Sequence, residues 1–144
     1  MATVFDVAKY FLEKLGGLST WKLQKLCYYA QAWHFTWTDK ALFNEDFQAW
    51  TNGPVCKELY EKHKGEYSIT ADFLEKGDTS VFNDDELESL DIILKDYGNK
   101  ESWWLREQTH SEAPWEDARI GVPEKERSEN IITKESMARY YGSL

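Results

Sequence analysis

Between Trp21 and Trp37 the chain carries a helical repeat with two apolar faces, and this constrains its fold more than any other feature. Leu23, Leu26, Cys27, Ala30, Trp33 and Trp37 recur on one face, while Trp21, Tyr28, Ala32 and Phe35 form a second stripe on the opposite side. Polar residues are confined to narrow strips, Gln24 and Gln31 on one side and Lys22, Lys25 and Thr36 on the other. A helix that is apolar on two sides must be covered on two sides. The expected fold is mainly α: a compact helical domain around a central buried aromatic helix.

The flanking sequence supplies the covering elements. Thr3 with Asp6 is a short-armed capping box ahead of Val4, Val7, Ala8, Phe11 and Leu15, and Gly16-Gly17 stops that helix. Ser19 or Thr20 caps the aromatic helix. Phe47, Ala49 and Thr51 alternate with Gln48 and Trp50, which predicts a short extended strand near residues 46–51. Gly53 ends it, and Pro54 reads as the first residue of a helix running to about Lys64. From Glu66 to Phe82 the chain reads as loop, with one turn at Asp72 to Glu75. Asn83 caps a helix whose first turn holds Asp84, Asp85 and Glu86, matching the positive end of the helix dipole, and Gly98 closes it. Ser102 caps another helix through Trp104, Leu105 and Gln108 that Pro114 ends, and Trp115 to Arg119 form a turn of helix. Gly121 to Asn130 reads as a mobile charged loop, and Thr133 caps a final helix anchored by Met137, Tyr140 and Tyr141. At 144 residues the chain can enclose one core, so 1–144 is read as a single domain.

Charge and composition narrow the function. A net charge of −9 argues against a nucleic-acid backbone as partner and favours a basic protein surface. No stretch approaches the ~20 apolar residues of a membrane span. The N-terminus lacks the basic and apolar regions of a signal peptide, so no membrane association and a cytoplasmic location are expected. Aromatic residues make up 15% of the chain, with seven Trp, more than a compact helical core needs, which points some of the rings toward contact with a partner.

Catalytic and metal chemistry find little support. Cys27 and His34, like Cys56 and His63, are seven residues apart, ~10 Å along a helix, too far to chelate one zinc by themselves. No cofactor motif is present. Cys56 falls where a helix N-terminus following Pro54 would lower a thiol pKa, but no nucleophile motif surrounds it, and a small buried hydrophobe is the favoured reading. His34 reads as a core histidine. In Thr109-His110-Ser111-Glu112-Ala113-Pro114-Trp115, His110 and Glu112 form a candidate acid–base pair. The favoured reading is a helix-to-helix corner, because nothing nearby supplies a nucleophile or an oxyanion hole.

Four blocks in order resemble a known family: Lys22-Leu23-Gln24-Lys25-Leu26-Cys27-Tyr28-Tyr29-Ala30-Gln31-Ala32-Trp33; Phe47-Gln48-Ala49-Trp50 with Gly53-Pro54-Val55; Glu58-Leu59-Tyr60; and Thr109-His110-Ser111-Glu112 with Pro114-Trp115 and Ala118-Arg119. Together they resemble the Panacea, or SocA-like, antitoxin domain. That resemblance implies a non-enzymatic antitoxin of bacterial or phage origin, which neutralises a cognate protein toxin by direct contact. It also allows an adaptor that delivers the toxin to an ATP-dependent protease. Leu23, Leu26, Trp33, Pro54 and Trp115 are then scaffold residues. Trp50, Tyr60, Phe35 and Trp103, each beside polar residues at an element edge, are the candidate partner contacts.

Overall fold

Local capping signals start most of the helices. In the computed structural model, which describes residues 1–144, the Asp6 N–H donates to Thr3 Oγ1 at 3.3 Å and the Thr3 N–H to the Asp6 carboxylate at 2.8 Å, opening α1 (Val4–Leu15). Ser19 caps α2 (Thr20–Thr38) by accepting from the Lys22 N–H. Asn83 and Glu86 close a second reciprocal box ahead of α4 (Asp84–Tyr97). The remaining helices are α3 (Lys57–His63), α5 (Ser102–His110), α6 (Ala113–Ala118) and α7 (Lys134–Tyr141), with a 3-10 turn at Ala71–Leu74. The helix expected to be capped by Ser102 has Glu101 as its cap instead.

Short strands fill the gaps. Leu18–Ser19 (β1) pairs with Ser68–Ile69 (β4), and Phe47–Trp50 (β2) lies between Gly53–Cys56 (β3) and Ile131–Ile132 (β5), all antiparallel. The expected helix start at Pro54 is thus overturned: Pro54 belongs to a strand, and α3 begins at Lys57. The strand tolerates proline because β3 is the sheet edge. Pro54 faces Ala49, whose own N–H points the other way to the Asn130 carbonyl at 2.8 Å, so no ladder bond is lost.

Against α2 pack α1, α4, α5, α7 and β3, and a contiguous apolar core joins residues of all five. The polar strip of Gln24 and Gln31 is buried and used. Gln24 replaces a strand neighbour for Cys56, accepting from its N–H at 2.8 Å and donating to its carbonyl at 3.2 Å. Two turns on, Gln31 accepts from the Leu42 N–H and donates to the Phe43 carbonyl, both at 2.7 Å. These two amides fix where the returning chain runs against α2. Toward its C-terminal end α2 emerges, and Trp37 is exposed.

The segment read as a mobile loop is tethered. Buried Arg119 donates to the Ala49 carbonyl at 2.8 Å and to the carbonyls of Pro123, Glu124 and Glu126. One guanidinium thus gathers the turn after α6 onto β2, and its five fixed donors suit that task. No helix is long and apolar enough to cross a membrane.

Candidate functional site

Three of the sequence blocks meet at one side chain, Lys25. It projects from α2 against the β2–β3 turn, where Gly53 has a φ of +117°. A Cβ at Gly53 would lie 2.6 Å from Lys25 Cε and 3.2 Å from Thr109 Oγ1. The backbone angle favours glycine here, and a side chain at this position would push the end of the lysine aside. The corner between α5 and α6 closes the third side with Thr109 and His110.

Lys25 is only 1% exposed, and it stands among neither the hydrogen bonds nor the ion pairs of the fold. Its ammonium lies 5.3 Å over the Trp21 ring. Burial, and then the nearby charge of Arg106, pull its pKa down to about 7. The same surroundings affect His110. Burial lowers its pKa, Lys25 and Arg106 add to the lowering, and Nε2 is buried without a partner. Its ring stacks on Trp115 at 4.1 Å.

Above Lys25 opens a cleft of about 510 Å³, lined by Trp21, Lys25, Asn52, Tyr67, Glu101, Ser102, Trp103 and Arg106. Tyr67 is 80% and Trp103 61% exposed. Trp21 leads out of the cleft to Tyr60 at 6.4 Å, and Tyr60 meets Trp50 edge-on at 4.9 Å. Arg127 covers Trp50 at 5.0 Å. Of the four contact residues expected from sequence, Trp103, Tyr60 and Trp50 lie along this run of rings. Phe35 does not: it is half-buried, about 21 Å further along α2. A larger depression of about 1120 Å³ lies between the end of α2 and the start of α4. The histidine there, His34, has Nδ1 2.8 Å from Ser89 Oγ and is satisfied locally.

The candidate catalytic groups are placed for other tasks. Cys56 ends β3, and burial pushes its thiol up to about 12, outweighing the lowering by backbone amides at the start of α3. His63 pairs with the Gln24 amide at 3.0 Å. His110 and Glu112 share no hydrogen bond. Glu112 turns inward, where Oε1 accepts from the hydroxyls of Tyr29 at 2.8 Å and Tyr141 at 2.7 Å, and Oε2 from Gln108 at 3.1 Å. Burial raises its pKa. No group of three His, Cys, Asp or Glu side chains is arranged to hold a metal.

From sequence, Lys25 is only one of three residues in a narrow polar strip, and nothing in that strip singles it out. The available signal was its position beside Trp21 and one turn before Tyr29, within an otherwise apolar stretch.

Seven helices and short antiparallel strands thus frame an aromatic-edged cleft over a buried lysine. The family model for the SocA-like antitoxin, Panacea domain matches residues 23–116. That span is well over half the chain and includes Lys25, Gly53, Thr109 and Arg106, and the chain belongs to this antitoxin family. No curated protein and no solved structure matches it.

Proposed function

We propose that the chain is the antitoxin of a bacterial or phage toxin–antitoxin pair, acting in the cytoplasm as one domain that neutralises its cognate toxin by direct binding. The family match over residues 23–116 carries this reading. The run from exposed Trp103 through half-buried Trp21 and Tyr60 to Trp50 supports it, since aromatic area beside polar groups is typical of the anchoring part of protein interfaces. In this reading α2 is the buried axis, and the rings at its N-terminal end grip the partner.

Expressed alone, the neighbouring reading frame stops growth, co-expression of this chain restores it, and the two proteins purify together. A harmless neighbour sinks the proposal. Rescue that persists in a strain lacking ATP-dependent proteases separates sequestration from delivery to a protease.

A further inference from the structure

We propose that the Lys25 cleft is the socket for one carboxylate of the toxin, an Asp or Glu side chain or its C-terminus, met by Lys25 at the floor and flanked by Trp21 and Trp103. The inference rests on the antitoxin reading above and specifies how the two proteins dock.

Three independent features converge on it. First, Lys25 is 99% buried by the chain, lines the cleft and is paired with no acceptor or carboxylate. A buried amine in that position gains most from a partner that brings its own negative charge. Second, the fold makes room for it, because the space beside Gly53 that a side chain would fill is taken by the end of the lysine. Third, the walls suit a carboxylate on a hydrocarbon stem. Trp21, Trp103 and Tyr67 offer apolar faces, Asn52 and Ser102 offer hydrogen bonds, and Arg106 stands at the rim, one nitrogen paired with Glu107 at 3.3 Å and its other N–H groups open to a carboxylate.

The alternative anions fit less well. Glu101 also lines the cleft, so a phosphate dianion would meet a like charge with only one buried amine beneath it. A carboxylate carries a single charge and needs fewer donors. In a chain of net charge −9, a cationic socket is a local reversal of sign. It would orient a basic partner by one acidic group, which is a specificity device more than a source of long-range attraction.

The test uses the full chain and the purified toxin. Lys25→Met lowers toxin affinity by about 30-fold or more, as truncating one member of a desolvated charge pair does, while the melting temperature shows that the variant is folded. Arg106→Gln, at an exposed rim position, weakens toxin binding much less than Lys25→Met does. Each Asp, Glu and the C-terminal carboxylate of the toxin is then neutralised in turn. One neutralisation reproduces the Lys25→Met loss and adds nothing further when combined with it. Wild-type binding with an unaffected Lys25→Met overturns the socket and leaves the antitoxin reading standing. So does a Lys25→Met loss that no toxin carboxylate reproduces, which would assign the cleft to a diffusible anion. A wild-type chain that neither binds nor rescues overturns both.

Discussion

Glu112 and Lys25 are buried to nearly the same degree, and α2 meets them one helical turn apart, Glu112 through Tyr29 and Lys25 directly. The fold treats them in opposite ways. Around Glu112 it gathers two tyrosine hydroxyls and an amide, with Tyr28 3.2 Å from Tyr141 and Tyr97 stacked on Tyr29 at 4.1 Å. Around Lys25 it gathers an aromatic face, a glycine turn, two histidines and an arginine, and the ammonium forms a hydrogen bond with none of them. The corner between α5 and α6 contributes to both, yet the carboxylate and the amine do not pair. A buried charge with all its partners inside the chain belongs to the architecture, because removing it orphans those partners. A buried charge with none stabilises nothing in the free protein, and points outward to what the domain binds.

Mutating the satisfied member gives the largest expected effect. Glu112→Ala leaves the Tyr29 and Tyr141 hydroxyls and the Gln108 amide without their acceptor in the core, which costs about 3 kcal/mol and lowers Tm by roughly 10 °C. It also loosens α7, which Tyr141 ties to α2. Glu112→Gln keeps one acceptor oxygen and loses less. Thermal melts of the two variants check this, and an Ala variant that melts with wild type would remove the distinction between the two sites.

Next in size, and opposite in sign, is Lys25→Met. Met fills a similar volume and needs no partner, so the free chain stays level or gains about 1 kcal/mol at pH 7. Toxin binding falls in the same variant. Stability and function moving in opposite directions is the outcome that a scaffold lysine does not give. If Lys25→Met destabilises the free chain as Glu112→Ala does, Lys25 is architecture after all.

Only one half of this contrast could be reached from sequence. Capping boxes at Thr3 with Asp6 and Asn83 with Glu86 lie within four residues, so helix starts were legible and the structure has them. The Thr109 to Trp115 stretch was legible as a corner. Strands β1, β4 and β5 have two residues each and exist through pairing with distant segments, which no local period records. Pro54 carries a helix-start signal that loses to the hairpin, since an edge strand at that register does not need its N–H. Lys25 was illegible for the same reason. Its helical position fits a narrow polar strip, and it is the Gly53 turn and the Thr109 corner, far away in sequence, that cover it. Of the expected contact residues, Trp103 borders the cleft and Tyr60 and Trp50 continue from it, while Phe35 stands apart because a helix stripe is longer than the surface it feeds.

The most specific expectation, and the smallest when read over a few tenths of a pH unit, is a difference in pH dependence between wild type and Lys25→Met. Lys25 has a folded pKa near 7 against 10.5 for the ordinary amine. Between these values the unfolded chain holds a proton that the folded chain has released, so this group adds stability as pH rises through 7 and loses it as pH falls back. At its steepest the slope is about 1 kcal/mol per pH unit. The charged and titrating neighbours of Lys25 are Arg106, His63 and His110, with Glu101 in the lining of the same cleft. Burial depresses both histidines below 6.5, so their contribution is already complete above that value. Cys27 and Cys56, raised above 9, begin to subtract stability only beyond that pH. The usable window is therefore pH 7 to 9. Replacing Lys25 relaxes part of the lowering of His63 and His110, but burial, the larger cause, still holds both below that window. Lys25 alone therefore sets the difference there, and the advantage of Met shrinks and then reverses before pH 9. Parallel curves would mean that Lys25 keeps an ordinary, hydrated ammonium in the folded chain, and the contrast with Glu112 would then be one of hydrogen-bond count alone.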